Sequence, residues 1–170
     1  MKNLKNTLLV LFSFFAVSFA NAQEKPKSPL EKTTGTINGA TIQINYSSPS
    51  VKGRKIWGEL VPFDAVWRAG ANEATTFETD KEITIEGKKL PAGKYSFFII
   101  PSQTQCIVIF NKEAKQWGAY KYKESEDQLR VIVKQDVTST SSSVEKLVYN
   151  IIGDNIILSW DNWNIGLNVK

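Results

Sequence analysis

The stretch Thr33–Ser48, TTGTINGATIQINYSS, decides the fold. Asn38-Gly39 sits between two runs rich in Thr and Ile. That dipeptide accepts the positive φ angles of a type I′ turn, so the stretch predicts a β-hairpin. In the second arm Ile42, Ile44 and Tyr46 share one face, and Thr41, Gln43 and Asn45 share the other. One face is built for a core and the other for water.

The same pattern continues outward. Ile83 and Ile85 alternate with Thr84 and Glu86, and Gly87 and Pro91-Ala92-Gly93 mark turns. KYSFFIIP (94–101) and QCIVIFNK (105–112) read as two strongly apolar strands joined near Ser102–Thr104. In LRVIVKQDV (129–137), Leu129, Val131 and Val133 share a face. SSVEKLVYNII, NIILSW and WNIGLNVK complete the set, with tight turns at Gly153-Asp154-Asn155 and Asp161-Asn162. Residues 138–143, TSTSSS, read as a solvated loop. Eight or nine short strands and no long helix predict an all-β fold, an antiparallel β-sandwich or a jelly-roll-like barrel.

Residues 51–70, VKGRKIWGELVPFDAVWRAG, break the pattern. Ile56, Leu60, Phe63 and Trp67 recur at helical steps, but Pro62 forbids a continuous helix. One or two short helical turns, or an irregular segment, are expected. Strands 95–100 and 106–110 are apolar on both faces, so their second face needs a cover. Segment 51–70 is the expected cover, and a homodimer interface is the rival.

The amino terminus has the form of an export signal. Lys2 and Lys5 make a positive region, Leu8–Phe19 an apolar core, and Ala20-Asn21-Ala22 a small-x-small cleavage motif. Residues 1–22 read as a cleaved signal peptide, which places a mature chain starting at Gln23 in the periplasm or outside the cell. The apolar run is short for a membrane span, so no stable insertion is expected after cleavage. Residues 23–32 read as a flexible lead-in and residues 33–170 as a single β domain.

Composition narrows the chemistry. The chain has no histidine, which excludes a Ser-His-Asp triad, a Cys-His pair and His-ligated zinc. Its single cysteine, Cys106, excludes an intrachain disulfide and reads as a small buried hydrophobe. The net charge is +4, and two of its cations, Lys2 and Lys5, leave with the leader. No basic stripe accompanies it, so nucleic acid is not an expected partner.

Four blocks carry a resemblance: YSSPSVKGRKIWGELVP (46–62), VWRAGANEATTF (66–77), LPAGKYSFFIIP (90–101) and NKEAKQWGAY (111–120). In this order they resemble an exported bacterial family catalogued as domain of unknown function 2911, over about residues 28–169. The resemblance implies an all-β exported domain with no established activity. The family often carries Arg before the proline of the first block. Here that position is Ser48, which puts any anion binding by such an Arg in doubt.

Candidate site residues cluster in WRAGANE (67–73). Arg68 offers a planar fork of donors for carboxylate or phosphate. Asn72 offers a donor and an acceptor, and Glu73 an acceptor or a general base. Gly70 allows a sharp turn or a close approach. The structural alternative pairs Arg68 with Glu73, caps a turn with Asn72 and buries Trp67. Lys52, Arg54 and Lys55 around Gly53 form a candidate anion site or a solvated turn. Trp117, Tyr120 and Tyr122 are candidate stacking walls or loop staples, and Trp160 and Trp163 pose the same question. Glu59, Asp64, Glu73 and Glu78 are the carboxylates available for a hydrolase pair. Glu124–Asp127 lack calcium-loop spacing and read as a solvated loop.

The expected function is non-catalytic binding of a small molecule, glycan or cell-envelope component. The site would combine Lys52, Arg54, Arg68, Asn72 and Glu73 with walls from Trp117 and Tyr120. No cofactor or metal is expected. A carboxylate-dependent envelope hydrolase using Glu73 and a structural module without a ligand are the alternatives.

Overall fold

The computed structural model describes residues 27–139 and 142–170. The expected signal peptide, residues 23–26 of the lead-in and residues 140–141 of the expected loop lie outside them. Twelve strands follow in chain order: β1 (Leu30–Ile37), β2 (Ala40–Ser47), β3 (Ala71–Thr79), β4 (Ile83–Ile85), β5 (Lys88–Leu90) and β6 (Gly93–Pro101), then β7 (Cys106–Asn111), β8 (Asp127–Val133), β9 (Gln135–Val137), β10 (Val144–Ile152), β11 (Asn155–Asp161) and β12 (Trp163–Asn168). Among the described residues the helical content is 3-10 alone, at Glu124–Glu126 and at Ser142, and no helix among them is long and apolar enough to cross a membrane. The count exceeds the expected eight or nine partly because the stretch read as one strand over 129–137 divides into β8 and β9, and because β5, three residues long, is too short to show a period.

Two antiparallel sheets face each other. One has the order β1-β2-β3-β6-β7-β8 and the other β10-β11-β12-β9, with β4-β5 as a separate hairpin. The first sheet is a meander interrupted only by that hairpin. In the second, β9 returns beside β12 in Greek-key adjacency. The architecture is a sandwich.

Asn38 and Gly39 have φ of 50° and 77°, as the hairpin requires. Ile42, Ile44 and Tyr46 are buried and share one core with Phe97 and Val108 of the first sheet and Leu158 and Trp160 of the second. Leu129, Val131 and Val133 also point inward. β1 begins at Leu30, inside the stretch expected as a flexible lead-in, because Leu30 through Lys32 pair with Ser47 through Asn45.

Both ends of the sandwich are closed. At one, Thr84 and Lys170 exchange backbone hydrogen bonds of 2.6 and 2.8 Å, which ties β4 to the carboxyl-terminal residues. At the other, segment 51–70 enters the core. Trp57 stacks on Trp163 with ring centroids 4.2 Å apart, and Trp67 stacks on Trp160 at 5.8 Å.

This corrects the expected cover. Segment 51–70 closes the Trp163 end of the sandwich, and only Val66 reaches the outer apolar cluster of Ala74, Phe98 and Ile109. Ala119 and Tyr122, from the β7–β8 loop, complete that cover. Within 51–70 no helical turn forms. Gly58 takes a φ of 85° and Pro62 follows, so the chain turns back on itself with Val61 N–H donating to the Ile56 carbonyl at 2.9 Å. Leu60, expected on the buried stripe, is exposed.

Candidate functional site

The WRAGANE stretch lies where β3 and β6 separate. Their pairing runs from Thr79↔Gly93 to Thr75↔Phe97. Beyond it, Trp67 pairs with Ile99 through hydrogen bonds of 2.8 and 2.9 Å. On the β3 side, residues 116–118 take the vacated place. Ala74 N–H donates to the Gln116 carbonyl at 3.0 Å, and Gly118 N–H to the Asn72 carbonyl at 3.1 Å.

The turn between these pairings is held from within. Ala69 and Asn72 adopt left-handed φ of 53° and 58°. The Ala69 carbonyl accepts from the Thr75 hydroxyl at 2.9 Å and from the Tyr149 hydroxyl at 2.8 Å. Trp67 Nε1 donates to the Gly70 carbonyl at 3.2 Å. Asn72 Nδ2 donates to Ser47 Oγ at 3.2 Å, so Asn72 ties the turn to the end of β2 through a side chain and not through the local backbone cap of the structural alternative.

Arg68 and Glu73 do not pair. Among the described residues Arg68 makes no ion pair, and its Nε is buried without a hydrogen-bond partner. The two side chains line different cavities. Arg68 and Arg54 line a cavity of about 160 Å³ at the tryptophan-rich end. Glu73 and Trp117 line a groove of about 520 Å³ beside the β7–β8 loop. The single site expected from the sequence is therefore divided. Lys52 lines neither cavity; its backbone N–H donates to Glu145 Oε1 at 3.0 Å.

Trp117 and Tyr120 do come together. Both line a larger groove of about 780 Å³, with Gln116, Tyr122 and Lys115. They stand out of the surface, 59% and 84% exposed. Their loop is firmly tied. Asn111 is fully buried and its Nδ2 donates to the Lys123 carbonyl at 3.0 Å and to Asp127 Oδ1 at 2.8 Å. Tyr122 donates its hydroxyl to Asp127 Oδ2 at 2.6 Å and sets its ring edge-on against Phe98. Tyr122 is thus a staple, while Trp117 and Tyr120 remain open walls.

Gln116 was not among the expected site residues, and Trp160 was weighed only as an aromatic wall or packed ring. Gln116 Nε2 donates to the Glu113 carbonyl at 2.8 Å, but its buried Oε1 has no partner. Trp160 lines the cavity of Arg68 with its buried Nε1 unpartnered. The sequence signal for Gln116 was only its place beside Trp117, and Trp160 was visible as one more aromatic.

The carboxylates are dispersed. Glu59 pairs with Lys55 at 3.0 Å and Glu78 with Lys94 at 3.5 Å. Among the described residues Glu73 is the sole carboxylate lining its groove. Glu124 pairs with Arg130, so ESED is part of a structural anchor. Cys106 is fully buried, and burial pushes its thiol up to about 12.

Against other proteins, a model of the family described as protein of unknown function (DUF2911) matches residues 28–169. The chain belongs to this family. No curated protein and no solved structure shows a match. Within this DUF2911 domain, Ser48 holds the position where the resemblance implied an arginine. It is buried and donates its hydroxyl to the Leu147 carbonyl at 2.7 Å, joining the two sheets at one edge.

Proposed function

We propose that this DUF2911 domain is an exported, non-catalytic module that binds a glycan of the cell envelope in the groove of Trp117 and Tyr120. One observation carries the reading. Two exposed aromatic rings line a groove together with Gln116, whose buried Oε1 has no partner among the described residues. An exposed ring offers an apolar face to the C–H face of a sugar, with its polar tip in water. A buried acceptor without a partner calls for a donor, and sugar hydroxyls are donors. The groove volume falls in the range of ligand sites, roughly 300–1,000 Å³, and the hydrogen bonds of the loop hold it before any ligand arrives.

Lys115, Lys121 and Lys123 line the groove and none of them forms an ion pair among the described residues. Glu113 and Glu126 line it as well, with Glu126 held by Lys112 at 3.7 Å, so the three lysines leave a small cationic excess that favours sugars carrying carboxylate or phosphate over neutral ones. A hydrolase built on Glu73 is less well supported, because a two-carboxylate mechanism needs a second acid facing the same bond.

Titration of neutral and acidic envelope oligosaccharides into the mature protein tests the reading. Wild type should bind at least one acidic oligosaccharide, and Trp117→Ala and Tyr120→Ala should each weaken it about tenfold or more while melting like wild type. Binding that is absent in wild type, or unchanged in both variants, overturns it.

A further inference from the structure

We infer that the cavity at the tryptophan-rich end is a second binding site, selective for a small oxyanion of the carboxylate or phosphate kind. It is separate from the glycan groove, and none of its lining residues is shared with that groove.

The polar side chains around it are almost all donors. Arg54, Arg68, Trp160 and Ser28 line the cavity, and among the described residues no acidic one does. Two of these residues have buried N–H groups that meet no acceptor among the described residues, Arg68 Nε and Trp160 Nε1. A buried donor without a partner is costly, and more so when it carries charge. With two guanidinium groups in its lining, no acid among the described lining residues and these orphaned donors beside it, the cavity points to an acceptor-rich, negatively charged occupant.

Arg54 is set for the same task. Its Nε donates to the Val51 carbonyl at 3.0 Å, and one terminal nitrogen donates to the Ser50 carbonyl at 2.5 Å. These bonds fix the guanidinium plane and leave other donors of the fork without a partner among the described residues. Preorganised planar donors match the two oxygens of a carboxylate or phosphate. Glu59, next in the chain to the lining residue Leu60, is already paired with Lys55 at 3.0 Å.

Size limits the ligand. About 160 Å³ is room for about five water molecules at roughly 30 Å³ each. That suits one phosphate, a short carboxylic acid, or the charged end of a larger molecule whose remainder lies outside.

The test uses sodium phosphate and sodium acetate as probes, with sodium chloride at matched ionic strength as the reference. Thermal melting and calorimetric titration read the mature protein. Phosphate or acetate should raise the melting temperature saturably above the chloride reference, because a ligand that binds only the folded state stabilises it by mass action. Which of the two acts more strongly distinguishes a phosphate from a carboxylate ligand. Arg68→Lys keeps the charge but loses the fork, and should weaken binding about tenfold. Arg54→Gln alters an exposed side chain and should weaken it as well, so the test holds even if Arg68→Lys folds poorly. Trp117→Ala should leave anion binding unchanged, which separates this site from the glycan groove. Equal responses to phosphate, acetate and chloride in wild type would overturn the inference. So would wild-type anion affinity in both arginine variants.

Discussion

The hydroxyl of Tyr149, on β10 of the second sheet, donates to the carbonyl of Ala69 at 2.8 Å. Ala69 stands next to Arg68 in a left-handed turn, so the packing of one sheet fixes the backbone that presents the arginine from the other. The Thr75 hydroxyl donates to the same carbonyl at 2.9 Å. Tyr149→Phe therefore leaves the carbonyl one partner and should cost about 1 kcal/mol in urea unfolding. Thr75→Val should cost a similar amount. The double variant leaves the buried carbonyl bare, and its loss should exceed the sum of the singles by on the order of 1 kcal/mol. Strict additivity would mean that the carbonyl is satisfied in some other way.

Gly70 is required by close approach. A Cβ there would lie 2.9 Å from Thr75 Oγ1 and 3.1 Å from the Ser47 carbonyl oxygen. The hydroxyl can turn away, but the backbone oxygen cannot. Gly70→Ala should destabilise the domain by about 1–3 kcal/mol, the usual range for overpacking. An unchanged denaturation midpoint would contradict this.

Trp57 is buried against three other tryptophans, stacked on Trp163 and edge-on to Trp67 and Trp160. Truncating a buried Trp to Ala costs about 3–5 kcal/mol, against a total stability of about 5–15 kcal/mol for most domains. Trp57→Ala should unfold at far lower urea than wild type. A folded variant with the wild-type midpoint would show that Trp57 serves an interface between chains instead.

Alkali should unfold the domain in a defined window. Burial raises the Cys106 thiol from its ordinary 9.0 to about 12. Burial raises the Tyr149 phenol well above its ordinary value, and burial together with the Asp127 carboxylate raises Tyr122. In the unfolded chain these groups lose protons from about pH 9–10, while the folded chain still holds them. Their contribution is complete below pH 9 and is lost as the pH rises from about 9 through about 12. Urea midpoints should be level between about pH 7 and 8.5 and fall steadily above. In the same native protein, Cys106 should resist thiol reagents near pH 8 and react once urea is added.

Much of the fold was legible because it is local. Asn38-Gly39 specifies its own turn, and the alternation of Ile42, Ile44 and Tyr46 reports burial on one side of one strand. Leu129, Val131 and Val133 do the same for β8. The stripe of Ile56, Leu60, Phe63 and Trp67 misled for a related reason. A helical period means burial only if a helix forms, and Gly58 and Pro62 prevent one. Trp67 is buried by pairing with β6, and Leu60 points to water.

Strand identity, the inward faces and the two-residue turns thus follow from neighbours along the chain, where sterics and alternation act over a few residues. The placement of Arg68 and Glu73 does not. They are five positions apart and could have closed on each other. They line separate cavities because Tyr149, far along the chain, holds Ala69 in its left-handed turn, and because residues 116–118 occupy the edge that β6 leaves free. Contacts across such separations depend on how the two sheets meet, and packing of whole elements sets that arrangement. The orphaned donors of Arg68 and Trp160 arise at the same level, since only the assembled sandwich brings a residue of the turn and a residue of β11 to one cavity.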